Sequence, residues 1–523
     1  MSINCIRTLI EDANVSNPNK TALVFGNEKL TYSELFTKVN QIAYYLAELN
    51  FPKGSRIGLY SNKRIDQVIA ILAILSTDYV LVPLTKLLKA EQVEYIINDC
   101  DIKCIITDKI KLESIEEIKF DGHIISYETS HKDLPSFEEI YKYYNKPYSC
   151  DVSGHGNAVI TYSFGLSGKP NGIVISHRNL IDSARVVSQY LHLEQDDVIS
   201  GLLIFNLDYG LNQIFCSLYK RATLALHRFV LPNDFFNHII NDKITVLPLM
   251  PINISDMFDE DEHRLPSAEL LKGVRIITSS GGNVTAKMIK DLEKHFANAK
   301  IYSMHGLTEA FRSTYLDPAQ LKIRPNSIGK AIPDVELYVI DENGKECAPR
   351  VVGELIHRGG YIYKGFWNAP KETEQRFKSI DILKNAINLE GQLRDEIVVK
   401  TGDYVYKDEE GYFYFVSRQD DMIKTRGFRV NPYEIESVIE NKFPSIDQCA
   451  VFSIENEEIE EEIVLVYSGN SELNSSEILF ELKNHLASYM LPSKIIYKKS
   501  LPLIPSDKNK INKEELKKEL KSK

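Results

Sequence analysis

Behind Thr31 and Glu34, apolar residues recur at Leu35, Val39, Ile42, Leu46 and Leu49. That spacing lines one face of a helix, and a threonine followed three residues later by a glutamate is a capping box that starts one. Short apolar runs at 56–60, 80–82 and 103–107 predict strands. The continuous apolar run at 68–75 predicts a buried helix, and 91–98 predicts another. Strands alternating with helices predict an α/β sheet with helices on its faces. Residues 108–148 are more polar and weakly periodic, which predicts a connecting stretch with some helix. The alternation resumes at 158 and runs to about 315. Glycine, proline and short strand patterns at 336–340, 353–357 and 412–416 then predict a small β-rich unit. Past Gln419-Asp420-Asp421 the pattern is α+β, with helices at 432–442 and 476–487 and strands at 448–453, 463–467 and 494–497. The expected organisation is α/β: a large N-terminal domain over 1–419, made of α/β subdomains and the β-rich unit, followed by a small α+β C-terminal domain over 420–523.

Composition narrows the function. The chain has 523 residues, 43% hydrophobic and 26% charged, which excludes a disordered or fibrous protein. A net charge of −11 argues against a dedicated nucleic-acid or anionic-membrane binder. The run at 68–75 is far short of the ~20 residues a membrane helix needs, and no secretory signal pattern opens the chain. Seven cysteines without a CxxC pair or metal-ligand spacing suggest reduced thiols and a cytoplasmic location. The lysine-rich end, 508–523, reads as a solvated helix.

Five segments carry chemistry. Tyr162-Ser163-Phe164-Gly165-Leu166-Ser167-Gly168-Lys169-Pro170-Asn171-Gly172 lies between strand patterns at 158–162 and 173–176. Such a loop can turn backbone N–H groups toward a phosphate chain, with a structural turn as an equal alternative. It is not a Walker loop, because only two residues separate Gly165 from Gly168. In His305-Gly306-Leu307-Thr308-Glu309, a hydroxyl beside a carboxylate can hold hydrated Mg²⁺ against phosphates. Equally, Thr308 can cap a helix whose dipole Glu309 complements. Lys400-Thr401-Gly402-Asp403 offers an acid able to accept two ribose hydroxyls. Ser417-Arg418-Gln419-Asp420, followed by Lys424-Thr425-Arg426-Gly427, and Lys510-Ile511-Asn512-Lys513 complete the set.

In order and spacing, these segments resemble the acyl-adenylate-forming (AMP-forming) ligase superfamily, over about 31–516. That superfamily includes acyl-CoA synthetases, peptide-synthetase adenylation domains and firefly luciferase. The resemblance implies a reaction in two halves: ATP and a carboxylic acid give acyl-AMP and pyrophosphate, and a thiol then displaces AMP. By the same resemblance, Ser163, Gly165, Ser167, Gly168 and Gly172 form the loop over the phosphates. Thr308 contacts the α-phosphate and Glu309 holds Mg²⁺. His305 stacks on adenine, while Asp403, helped by Arg418, takes the ribose. Lys510 bridges the substrate carboxylate and the nucleotide, with Lys508 as its rival. Asp420 is the hinge of a mobile C-terminal domain that brings Lys424 and its neighbours to the thiol path. Asn171 replaces the family's usual lysine, and His305 its usual tyrosine or phenylalanine.

The segment 205–215 resembles the Phe-Asp-x-Ser segment of amino-acid adenylation domains, with Asp208 on the aspartate that pairs with an α-amino group. The same alignment places Tyr209, Asn212, Ile252, Ile277, Ser279, Met304, Arg312 and Ser313 around the side-chain pocket. Arg312 can meet a second carboxylate or form a structural ion pair. The resemblance is closest to stand-alone enzymes such as prolyl-carrier-protein ligases. It implies a small or cyclic amino acid such as proline, passed in nonribosomal peptide biosynthesis to a carrier protein in trans. Two alternatives stay open: an acyl-CoA ligase for a non-amino acid using CoA, and a weakly active nucleotide-binding regulatory protein.

Overall fold

Thr31 starts the helix Tyr32–Glu48: its hydroxyl accepts from the Glu34 amide at 3.2 Å, and the Glu34 carboxylate accepts from the Thr31 amide at 2.8 Å. Leu35, Val39, Ile42 and Leu46 bury the inner face. The helix Ile65–Ile74 is apolar nearly all round and sits in the interior. The computed structural model describes residues 3–85, 88, 90–118, 120–129, 134–144, 146, 148–164, 170–228, 232–258, 265–282, 284–391, 395–418, 423–430, 432–456, 458–504 and 507–521. Among these, no helix is long and apolar enough to cross a membrane.

Two α/β sheets form the body. The first runs His123–Ser126, Ile102–Thr107, Arg56–Tyr60, Val80–Leu84, Asn157–Phe164, Pro170–Ser176, parallel except for the last pair. The second has nine strands, with six parallel neighbours from Lys300–Leu307 to Thr21–Phe25 and antiparallel strands at both edges. Residues 108–148 are more regular than their composition predicts. They hold the helices Lys109–Ile118 and Phe137–Tyr143, and His123–Ser126 is an edge strand of the first sheet. Four residues on an edge are too few to register as a pattern. The β-rich unit is an antiparallel sheet of Val335–Ile340, Gly353–Gly359, Ile397–Lys407, Phe377–Ser379 and Phe413–Arg418.

Residues from 423 onward make a smaller lobe with its own sheet, and the alternation of its strands gives that sheet two distinct faces. Val451, Ile463 and Leu465 pack with Tyr489 on one face, and Phe428 leans on that cluster. Ala450, Phe452, Val464 and Val466 pack with Leu516 on the other, where Ile511 of the strand Asp507–Ile511 also rests.

Two carboxyl groups of the smaller lobe are pressed into the body. Glu434 accepts from Gln92 Nε2 at 2.9 Å, and burial raises its carboxyl to about 7, against the lesser opposing effect of that hydrogen bond. Glu460 lies so close to Gly282 that a Cβ there would meet Oε1 at 1.6 Å. Burial raises the Glu460 carboxyl too; Lys424 opposes the rise and Glu461 adds to it. Both shifts favour the protonated acids in the docked arrangement. Their contribution to docking is therefore full below the ordinary carboxyl value and is lost as pH climbs through about 7. Fluorescence transfer between dyes on the two lobes should fall between pH 6 and about pH 8.5. Glu434→Gln with Glu460→Gln should flatten the profile, and an unchanged wild-type signal would contradict the linkage.

Candidate active site

Thr308 and Glu309 do not begin a helix. They form the turn between the antiparallel strands Lys300–Leu307 and Ala310–Leu316, with a register shift between His305 and Leu307. Gly306 sits in that shift, where a Cβ would lie 2.5 Å from the Phe311 oxygen, so a side chain would push the strands apart. The Glu309 oxygen accepts from the Tyr363 amide at 3.0 Å, and its buried carboxylate is 3.9 Å from Arg376 Nε.

Asp403 is fully buried within the strand Ile397–Lys407. Thr401 places it: the threonine hydroxyl accepts from the Asp403 amide at 3.0 Å and donates to the Leu355 oxygen at 2.8 Å. Gly402 between them has φ +68°, and a Cβ there would meet Arg376 Nη1 at 2.0 Å. His305 Nε2 lies 2.9 Å from Asp403 Oδ2; a carboxylate only accepts, so the imidazole donates. Arg418 pairs directly across from Asp403 in the neighbouring strand. Phe415, on that same strand, has its ring 6.1 Å from the His305 ring and carries Lys424 Nζ 4.3 Å above it. The structure thus gathers His305, Asp403, Arg418 and Lys424 into one neighbourhood.

Asp208 opens the helix Asp208–Lys220 and accepts from the Tyr209 amide at 2.7 Å. Two local devices aim this helix. Gly210 lets its backbone approach Ile204, whose oxygen would stand 2.0 Å from a Cβ. Lys63, buried, donates to the oxygens of Gly201, Leu202 and Leu203 at 2.6, 2.6 and 2.5 Å and so fixes the segment leading in. Asp208, Tyr209 and Arg312 line a cavity of about 190 Å³ together with Ser280, Gly281, Gly306, Leu307, Thr308 and Tyr363. The smaller lobe closes it with Gly427, Phe428 and Tyr489. A second cavity, of about 640 Å³, adjoins it through shared walls at Asn206, Met250, Phe428 and Tyr489, and Ile252, Lys63, Arg228 and Arg426 line it. Phe428 and Tyr489 stack at 4.0 Å between the two.

The other predicted pocket residues, Asn212, Ile277, Ser279, Met304 and Ser313, are not among those that line the first cavity. Asn212 donates to Ser183 Oγ at 3.0 Å and accepts from Cys216 Sγ at 3.0 Å. Met304 Sδ accepts from Tyr190 at 3.0 Å, and Ser313 Oγ meets His357 Nδ1 at 3.0 Å. Ile277 and Ser279 are buried in the strand Ile276–Ser279, next to Ser280.

Gly165, Ser167, Gly168 and Asp420 fall outside the described residues. Ser163 is paired with Asn171 in the hairpin of Asn157–Phe164 and Pro170–Ser176. Gly172 there packs beneath Tyr162, whose hydroxyl donates to Asp99 Oδ2 at 2.5 Å. Lys510 lies on the strand Asp507–Ile511, on the face of the small sheet opposite to Phe428 and Tyr489. Among the described residues, the smaller lobe's share of the two cavity walls comes instead from 426–428, Ile459, Ser488 and Tyr489. Sequence reasoning missed Arg376, Tyr363, Lys63 and Ser280. The aromatic run 361–367 was the one visible signal, and it pointed to Tyr363.

A family model described as AMP-binding enzyme matches residues 10–367. Tyrocidine synthase 1 of Brevibacillus parabrevis is 25% identical over 509 residues, 96% of this chain and 44% of that protein. Surfactin synthase subunit 1 of Bacillus subtilis (strain 168) is 25% identical over 507 residues, 96% of this chain and 13% of that protein. The chain therefore spans less than half the length of these curated relatives. Its fold is shared with two solved structures. The o-succinylbenzoate CoA synthetase MenE of Bacillus subtilis, a double mutant, has a TM-score of 0.82 at 22% identity, covering 97% of each chain. The amide bond synthetase McbA of Marinactinospora thermotolerans has 0.85 at 16%, covering 98% of this chain and 99% of that one.

Proposed function

The chain belongs to the AMP-binding enzyme family, as an AMP-forming ligase, and we propose that it activates a small amino acid as its adenylate. The product then passes to the phosphopantetheine thiol of a separate carrier protein, in the cytoplasm. The observation that carries this reading is that one cavity has both Asp208 and the turn at 306–308 in its walls. An acid held there by its amine at Asp208 points its carboxylate toward Thr308. A volume of about 190 Å³ favours a small acid, and proline is within that size.

The chemistry follows from the charges. A carboxylate oxygen attacks the α-phosphorus, the bond to the β-phosphate oxygen breaks, and pyrophosphate leaves. Asp403, with Arg418 across from it, holds the ribose hydroxyls and so fixes the α-phosphate relative to Thr308. Glu309 would supply a carboxylate to a Mg²⁺ ion, which when bound would shield phosphate charge. Lys510 places its ammonium between the two anions in this half. In the second half a thiolate attacks the acyl carbonyl, the carbon–sulfur bond forms, the bond to AMP breaks and the thiol proton goes to solvent. Rotation about Asp420 exchanges the two faces of the small sheet. The arrangement with Phe428 and Tyr489 at the crevice belongs to the thiol half, with the cavity of about 640 Å³ as its path.

A second reading, an acyl-CoA ligase, is favoured by Arg228 and Arg426 in the larger cavity, whose charges suit a phosphorylated thiol. ATP–pyrophosphate exchange decides between them. Small amino acids should support exchange, and acids lacking the amine should be poorer by about 100-fold. Lys510→Ala should lower exchange by at least about 100-fold while leaving consumption of supplied acyl-adenylate by a thiol intact. Exchange confined to amine-free acids would establish the second reading. ATP binding without any exchange would favour a regulatory nucleotide binder.

A further inference from the structure

Arg312 is a charged group that activation of a simple amino acid leaves unused. It projects from the strand Ala310–Leu316 with only 4% of its surface exposed and lines the cavity that contains Asp208. Nη1 donates to Ser280 Oγ at 2.9 Å. The guanidinium carbon lies 4.7 Å from the centre of the Tyr209 ring and 4.9 Å from that of Phe311. Gly306 leaves room for it: a Cβ there would stand 3.1 Å from Nη1. Nε has no hydrogen-bond partner, and no ion pair joins Arg312 to a carboxylate among the described residues.

Two neutral hydroxyls, those of Ser280 and Tyr190, and two aromatic faces only partly offset the cost of a buried guanidinium. Its planar fork matches a carboxylate, which it can bind through two parallel hydrogen bonds. Asp208 lies in the same wall, and both side chains act electrostatically on the buried Tyr363, Asp208 raising its hydroxyl's pKa and Arg312 lowering it after the larger effect of burial. The cavity therefore presents a carboxylate and a guanidinium around one ring.

We propose that Arg312 binds a second carboxylate of the acid, so that the substrate is a small amino dicarboxylic acid of the aspartate or glutamate type. This rests on the adenylation reading above and deepens it. The α-amine meets Asp208, the side-chain carboxylate meets Arg312, and the α-carboxylate faces the nucleotide. The buried guanidinium then has its opposite. Proline matches the cavity in size but leaves the guanidinium without an anion.

ATP–pyrophosphate exchange by the full chain, with aspartate, glutamate, asparagine, alanine, proline and succinate, tests the assignment. Aspartate or glutamate should exceed alanine and proline in kcat/KM by at least about 100-fold, and succinate, lacking the amine, should be poor. Arg312→Gln should lower the value for the preferred dicarboxylate by about 100-fold and bring asparagine level with it or above it. Arg312→Lys, which keeps the charge, should recover part of the loss. Should the variants not fold, the wild-type panel still decides. Exchange with proline or alanine equal to that with the amino dicarboxylates overturns the assignment of Arg312 alone. So does an equal loss for every acid in Arg312→Gln, which is the mark of a structural role. Succinate as good as aspartate overturns the amino part of the proposal. Exchange with none of the acids overturns the adenylation reading and this inference with it.

Discussion

Two anions repel, and a catalyst that joins a carboxylate to a phosphate has to place fixed positive charge between them. The same place must then admit a thiol. In the proposed mechanism the two requirements fall on opposite faces of one small sheet. Phe428 and Tyr489 belong to the face turned to the crevice, and the strand Asp507–Ile511 with Lys510 rests on the other. A rigid body cannot present both at once, which gives the proposed rotation a physical reason.

The body of the protein supplies the rigidity that this exchange needs. Asp403 is held by the Thr401 hydroxyl on its backbone and by His305 on its side chain, and a positive-φ glycine turns the strand into place. Asp208 is aimed by a helix whose approach depends on Gly210 and on the ammonium of Lys63 binding three successive carbonyls. These are short-range, well-satisfied contacts, the kind that hold a site within a few tenths of an ångström.

Much of this was legible in the sequence. The Thr31 capping box, the strand Arg56–Tyr60 and the helix Pro432–Lys442 stand where the apolar pattern put them. The short edge strand His123–Ser126 did not, because four residues at a sheet edge carry too little periodicity. Alignment placed Asn212, Met304 and Ser313 near the acid but could not give their directions; each turns to a partner inside the packing. The register that sets Arg418 against Asp403 depends on a hairpin with a bulge between Tyr404 and Val405, which local propensity does not encode. Arg312 was visible as a residue, but only its burial beside Tyr209 and Phe311 makes its charge a question of chemistry.

The central claim is that a nucleotide anchored at Asp403 and an acid anchored at Asp208 share one chamber. A crystal structure of the chain with a non-hydrolysable aminoacyl-adenylate analogue tests it most directly. The account predicts both ribose hydroxyls on the Asp403 carboxylate, with the aminoacyl group between Asp208 and Arg312. An analogue bound elsewhere, with Asp403 still closed on His305 and the chamber empty, would contradict it.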